Sequence, residues 1–228
     1  MIVQADRGSA ARADEFETFG AVVRAYLGHR SPQVMAIGLT LAVALRILAG
    51  GFGWADVAVA AVTLGLTGTV EWVIHRVLLH APDDSFRTTK LGTATSHREH
   101  HLDPPNIGWL MLCWKDVVVF LGLLAVWNLT WPIALAVALG APIVPTYLSA
   151  VLGAYVMLAH YEWTHLLAHT KYRPPIGYYR RLKTNHRLHH YRNEHYWLGV
   201  TSNSGDRMLG TLPAGKSDVP LSDTARTL

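Results

Sequence analysis

The chain has 228 residues, half of them hydrophobic and 16% charged, with a net charge of +4 and a mean hydropathy of +0.19. A soluble domain is usually about a quarter charged, so the deficit points to a membrane, and the length suits one domain or two small ones. No basic stripe interleaves with stacking aromatics, which excludes nucleic acid as a partner, and the single cysteine, Cys113, excludes a disulfide framework or a Cys-based zinc site.

Residues 1–32 read as an N-terminal arm that lacks the continuous apolar stretch of a secretory signal. In it Phe16, Phe19, Val22, Val23, Tyr26 and Leu27 recur at helical spacing and predict an amphipathic helix on the membrane surface. Ser31-Pro32 predicts a helix start, with Ser31 as N-cap and Pro32 at the first helical position. "QVMAIGLTLAVALRILAGG" follows as a first span, and Arg46 near its far end is placed to snorkel. After the turn "GGFG" a second span covers Trp54 to Leu79 and is rich in Gly, Ala and Thr, which let membrane helices approach closely. Residues 81–108 are polar. Between Asp116 and Glu162 no residue is charged, enough length for two spans with a turn at Gly140, Pro142 and Pro145 and a kink at Pro132. The fourth span is expected to end near His160. Residues 33–211 would form one membrane domain, and 212–228 a disordered tail. Lys and Arg concentrate in the arm, in the 81–108 loop and beyond His160. The expected fold is therefore all-α and multi-pass, with four transmembrane helices and a cytoplasmic helical cap. Both termini would lie in the cytoplasm, and the expected location is a bacterial plasma membrane.

Histidine is the anomaly, with 13 copies. Ten fall into four clusters at the ends of predicted spans or in the polar segments: His75 and His80; His97, His100 and His101; His165 and His169; His186, His189 and His190. At this histidine frequency a His-x-x-His-His pattern is expected about 0.04 times by chance, yet it occurs twice. Positions i, i+3 and i+4 share a helix face, so each pattern aims its imidazoles at one volume. His75 and His80, five apart, are about 140° apart on an α-helix and need not serve the same ion. Ten imidazoles are too many for one ion and suit two, and all-nitrogen ligation suits iron, copper, zinc or nickel. Glu71, four before His75, and Glu162, three before His165, lie on the right faces to accept a ligand N–H; Glu99 and Asp103 are weaker candidates. His29, His160 and His195 read as structural. A haem cytochrome would need axial histidines within the spans, a metalloprotease H-E-x-x-H, and a metal transporter ligands near the bilayer midplane; none of these is present.

The set "HRVLLH", "HREHH", "YEWTHLLAH" and "NHRLHHYRNEHYWLGVTSNSGDRMLGT" resembles the fatty acid hydroxylase / sterol desaturase superfamily of membrane di-metal oxygenases. Its ending looks most like the fatty acid 2-hydroxylase branch. The resemblance implies a His-rich di-iron centre beside four transmembrane helices, O2 as co-substrate, and hydroxylation of a membrane lipid or fatty acyl chain. It also implies one ion among His80, His97, His100, His169 and His186, and the other among His75, His101, His165, His189 and His190. A carotenoid or sterol hydroxylase or desaturase of the same superfamily is the alternative. Some relatives carry a fused cytochrome b5 domain, for which the arm is too short, so electrons are expected from a separate ferredoxin, cytochrome b5 or reductase. Trp72, Trp109 and Trp114 could line a lipid entry. The basic stretch Lys171 to Arg192 reads as contact with anionic headgroups, or as a dock for an acidic electron carrier.

Overall fold

A computed structural model describes residues 11–82 and 93–223. The expectations for residues 1–10 of the arm, 83–92 of the polar loop and 224–228 of the tail lie outside the described residues. Among the described residues the elements are helical and no strand forms. They are α1 (Phe19–Gly28), α2 (Arg30–Ala49), α3 (Trp54–Val73), a π-helical segment (Ile74–Leu79), α4 (Thr93–Leu102), α5 (Ile107–Leu110), α6 (Trp114–Trp127), α7 (Trp131–Leu139), α8 (Ile143–His169), α9 (Gly177–Tyr191) and α10 (Ser204–Leu209). Four stretches are long and apolar enough to cross a membrane: Arg30–Ala49, Trp54–Leu79, Ile107–Leu139 and Ile143–His169. The protein is a multi-pass membrane protein of the expected all-α class.

The contacts divide the chain into two units. One comprises Leu27–Thr67 and Cys113–His160. Here α2 begins two residues earlier than Ser31 predicts, because the cap is a histidine: His29 Nδ1 accepts the Ser31 N–H at 3.3 Å, leaving Ser31 and Pro32 inside the first turn. Arg46 does not snorkel. It is 3% exposed, its guanidinium donates to Asp56 Oδ1 at 2.6 and 3.1 Å, to Gly50 O at 2.6 Å and to Ser149 Oγ at 2.6 Å, and it stacks on the Phe52 ring. A counter-charge in the first turn of α3 meets the cation where it stands, so the side chain need not reach for water. Gly38 lets the Tyr155 ring lie on the backbone of α2; a Cβ there would sit 2.4 Å from that ring. The third span is broken rather than kinked. α6 ends before Asn128 and α7 restarts at Trp131 with Pro132 in its first turn, where a missing N–H costs nothing, and buried Asn128 accepts from Trp131 Nε1. Gly140, at φ 61°, closes α7 in the left-handed conformation that glycine adopts without a steric penalty.

The other unit comprises the chain up to Tyr26, Gly68–Leu112 and Tyr161 onward. Val22 of α1 is fully buried with Ala13, Ile107, Leu110, Met111, Leu166 and Leu167. Tyr26 and Phe19 meet the Trp163 ring edge-on at 5.4 and 6.0 Å. The face expected to rest on a membrane is thus turned in part to protein, while Phe19 remains half exposed. The tail expected to be disordered is tied down as far as Ser222. Arg192 donates to Val219 O at 2.6 and 2.9 Å, Asn193 Nδ2 to Pro220 O at 3.2 Å, and Val219 is buried. Composition alone does not show that a guanidinium holds this polar stretch.

Candidate metal centre

All ten clustered histidines fall in this second unit and sort into two groups of five. His75, His80, His97, His101 and His189 form one; His100, His165, His169, His186 and His190 form the other; within each, the candidate ligand atoms lie within 4.8 Å of one another. The sorting differs from the partition implied by resemblance, and helix geometry explains it. His97 and His101 on α4 are i, i+4 and stay together, as do His186 and His190 on α9. Each middle ring, His100 or His189, points about 100° away from its neighbour and crosses to the other group. Each group is thus one i, i+4 pair, the crossed ring of the other helix, and a pair from a helix end.

The helix-end pair His75/His80 also departs from α-helical expectation. Ile74–Leu79 is π-helical, with His80 N–H donating to His75 O at 3.0 Å. Bonding from i to i+5 brings residues five apart onto one face, and the two rings stack at 5.1 Å. His165 and His169 need no such device, being i, i+4 in the last turns of α8.

Ring orientation is fixed from outside. His75 Nδ1 donates to Leu198 O at 2.6 Å, and His189 Nδ1 to Tyr196 O at 2.9 Å. A carbonyl only accepts, so in a neutral ring Nε2 is left as a lone pair. In the first group Nε2 atoms face one another at close range: His75 to His97 at 3.0 Å, His97 to His80 and to His101 at 3.1 Å, His189 to His101 at 3.2 Å. In the second, His186 Nε2 lies 3.0 Å from those of His169 and His190, and both nitrogens of His100 and Nε2 of His165 are buried with no hydrogen-bond partner. Burial pushes the imidazoles of His80, His97, His100, His101, His186, His189 and His190 below the ordinary histidine range, and the neighbouring rings push them further. They are held neutral, the form that ligates. Converging lone pairs in a dry site repel unless a cation stands between them, so the residues fit two transition-metal ions.

The two acids act one step further back than expected. Glu71 does not take the His75 N–H; its carboxylate accepts Val200 N–H at 2.8 Å, Thr201 N–H at 2.9 and 3.1 Å and Thr201 Oγ1 at 2.8 Å. It clamps the segment that presents the Leu198 and Tyr196 carbonyls. Glu162 repeats the arrangement: it accepts Leu112 N–H at 2.9 Å, while His165 is hydrogen-bonded to the Leu110 carbonyl two residues earlier. A third acid escaped the sequence reading. Asp206, fully buried, accepts Leu198 N–H at 2.9 Å, Gly199 N–H at 2.8 Å and Thr211 Oγ1 at 2.6 Å. Between the two ring-holding carbonyls Trp197 stands at φ 53°, a strained conformation for a bulky residue, and is buried. Gly199 has no room for a side chain, since a Cβ would meet Ser202 O at 2.0 Å. Only the aspartate's place between two glycines in "SGDRMLG" could have singled it out.

On the second group, Lys183 of α9 caps the end of α8, donating to the carbonyls of Leu167, Thr170 and Tyr172 at 3.3, 2.5 and 2.9 Å. Burial, with Arg187 and Arg173 nearby, lowers its pKa to about 8. His29, His160 and His195 belong to neither group; His29 caps α2 and His195 is exposed. Trp72 donates its indole N–H to Thr211 Oγ1 at 2.8 Å.

A family model described as fatty acid hydroxylase matches residues 60–211. Dihydroceramide fatty acyl 2-hydroxylase FAH2 of Arabidopsis thaliana is 29% identical over 153 residues, which are 67% of this chain and 60% of that protein. The chain thus spans less than two thirds of that relative. Among solved structures, full-length Scs7p, of which only the hydroxylase domain is visible, aligns with a TM-score of 0.60 at 24% identity, covering 91% of this chain and 70% of that one. At that identity the likeness speaks for the fold.

Proposed function

The chain belongs to the fatty acid hydroxylase family, and on that premise we propose that it is a membrane di-iron oxygenase hydroxylating a lipid acyl chain with O2 and electrons from a separate donor protein. The observation that carries this reading is the pair of buried, all-imidazole groups, each with five rings in reach of one ion. Iron held there would supply the oxidising chemistry that turns an unactivated C–H into C–OH.

The chain's own residues prepare that chemistry. Ten neutral imidazoles bind without adding negative charge. Leu198 and Tyr196 keep the protons of His75 and His189 on Nδ1, so Nε2 stays free to ligate. Glu71 and Asp206 hold those carbonyls in place, and burial keeps bulk water from the rings. An acyl substrate accords with the 2-hydroxylase named above, and carbon 2 is the proposed target. The site and the Lys- and Arg-rich segments are assigned to the cytoplasmic side.

The test is lipid profiling of cells with and without the protein, together with metal analysis of the purified chain. The expected result is new 2-hydroxy acyl lipid and about two iron atoms per chain. Unchanged acyl lipids with altered carotenoids or sterols would redirect the substrate. Active protein free of transition metal would end the di-metal reading.

A further inference from the structure

The short helix α10 borders a cavity that lies outside both histidine groups. α10 lies close against α3: a Cβ on Gly205 would sit 2.3 Å from Gly68 O and 2.8 Å from Trp72 Cβ. Thr69 Oγ1 reaches Met208 Sδ at 3.7 Å. Gly68, Thr69 and Trp72 belong to the membrane-crossing stretch Trp54–Leu79, so α10 is held against its second half. Met208 and Leu209 of α10 are apolar and stand exposed, as lipid-facing residues do.

Beside this helix opens a cavity of about 290 Å³, lined among others by Tyr178, Arg181, Ser202, Asn203 and Arg207. Two guanidiniums line it and no carboxylate does. The neighbouring acid, Asp206, already accepts from Leu198, Gly199 and Thr211. Asn203 is 9% exposed, and its side-chain oxygen is buried without a hydrogen-bond partner. A buried amide left unsatisfied is costly and calls for a ligand.

Guanidinium forks match phosphate oxygens, the Ser204 hydroxyl, which lines the cavity and accepts from Ser202 Oγ at 3.0 Å, keeps its own proton to donate, and the Asn203 amide offers an acceptor to a hydroxyl or ammonium. A phosphate carrying a small alcohol supplies both halves, and the flanking apolar residues lie where its acyl chains would run. We propose that this cavity binds the phosphodiester headgroup of a membrane phospholipid. The proposal stands whether or not the chain hydroxylates lipid, because its readout is binding.

The test titrates the metal-loaded full chain in detergent with short-chain phosphatidylglycerol, the matching diacylglycerol, and inorganic phosphate, read by native mass spectrometry. Phosphatidylglycerol should saturate one site at least ~10-fold more tightly than diacylglycerol. The double variant Arg181→Ala/Arg207→Ala should lose at least that factor while its metal content holds. If that variant also loses metal, Arg181→Gln/Arg207→Gln keeps side-chain length and must show the same loss. Equal binding of the two lipids, or undiminished phosphatidylglycerol binding by a folded variant, overturns the proposal. Displacement of phosphatidylglycerol by an equal concentration of inorganic phosphate assigns the cavity to a free anion and overturns the lipid source.

Discussion

The two histidine groups are built from equal numbers of rings and supported in different ways. The second is buried throughout, and helices hold it: α8 and α9 supply four of its five rings, and Lys183 joins them at the α8 end. The first depends on the Tyr196–Thr201 segment, irregular backbone held by two carboxylates and carrying a strained tryptophan. Two of its rings, His80 and His101, are only partly buried. One group is therefore a rigid helical nest, and the other depends on a loop that must be fastened. Ligand count alone does not define a site; what fixes the ring N–H decides how an ion would be held.

Removing a crossed ring should have the largest effect, because that ring ties one helix to the other group. His100→Ala should take product below detection, a loss of at least ~100-fold, and lower bound metal from about two ions per chain; metal analysis with a product assay checks this, and two ions with full activity would refute it. Acidification comes next. Burial depresses the folded-state pKa of His97, His100, His101, His186, His189 and His190, whereas an unfolded chain takes up those protons below about 6.5. Below that pH the unfolded state binds more protons, so stability falls as pH falls. Thermal unfolding of metal-free protein between pH 7 and 5 should show the drop, and bound metal should be released over the same range.

Glu71→Gln and Asp206→Asn should each weaken metal binding by ~10–100-fold, with the loss confined to the loop-held ion. A chelator titration resolving two steps would reveal it, and equal loss from both ions would show that the Tyr196–Thr201 segment does not support one group alone. Lys183→Met should act on the other group, lowering stability by about 1–3 kcal/mol in a denaturation experiment because the Thr170 and Tyr172 carbonyls lose their donor. The smallest effect is expected of His195→Ala, an exposed ring in neither group: within about 0.5 kcal/mol and with metal unchanged.

The four spans were legible because hydropathy over twenty residues reports bilayer thickness directly. That the ten clustered rings could hold metal was equally open, since two His-x-x-His-His patterns seldom arise by chance. How the rings are shared was not. That depends on a π-helical turn at Ile74–Leu79 and on which neighbour each middle ring finds, and both are set by tertiary packing. Glu71 and Glu162 were found by helical spacing, but their partners are backbone N–H groups of segments distant in sequence, which no side-chain pattern announces. Asp206 went unread for the same reason. Arg46 was misjudged because its counter-ion, ten residues on, lies across a turn.

The exchange of middle rings between α4 and α9 has a consequence for how the protein fills. Whichever ion arrived first would grip both helices, and in doing so it would set rings of the empty position in register. A second ion would then enter a pocket whose ordering entropy has already been met, so its affinity would rise. A preparation starved of metal should therefore contain empty and doubly filled chains, with the singly filled form scarce between them.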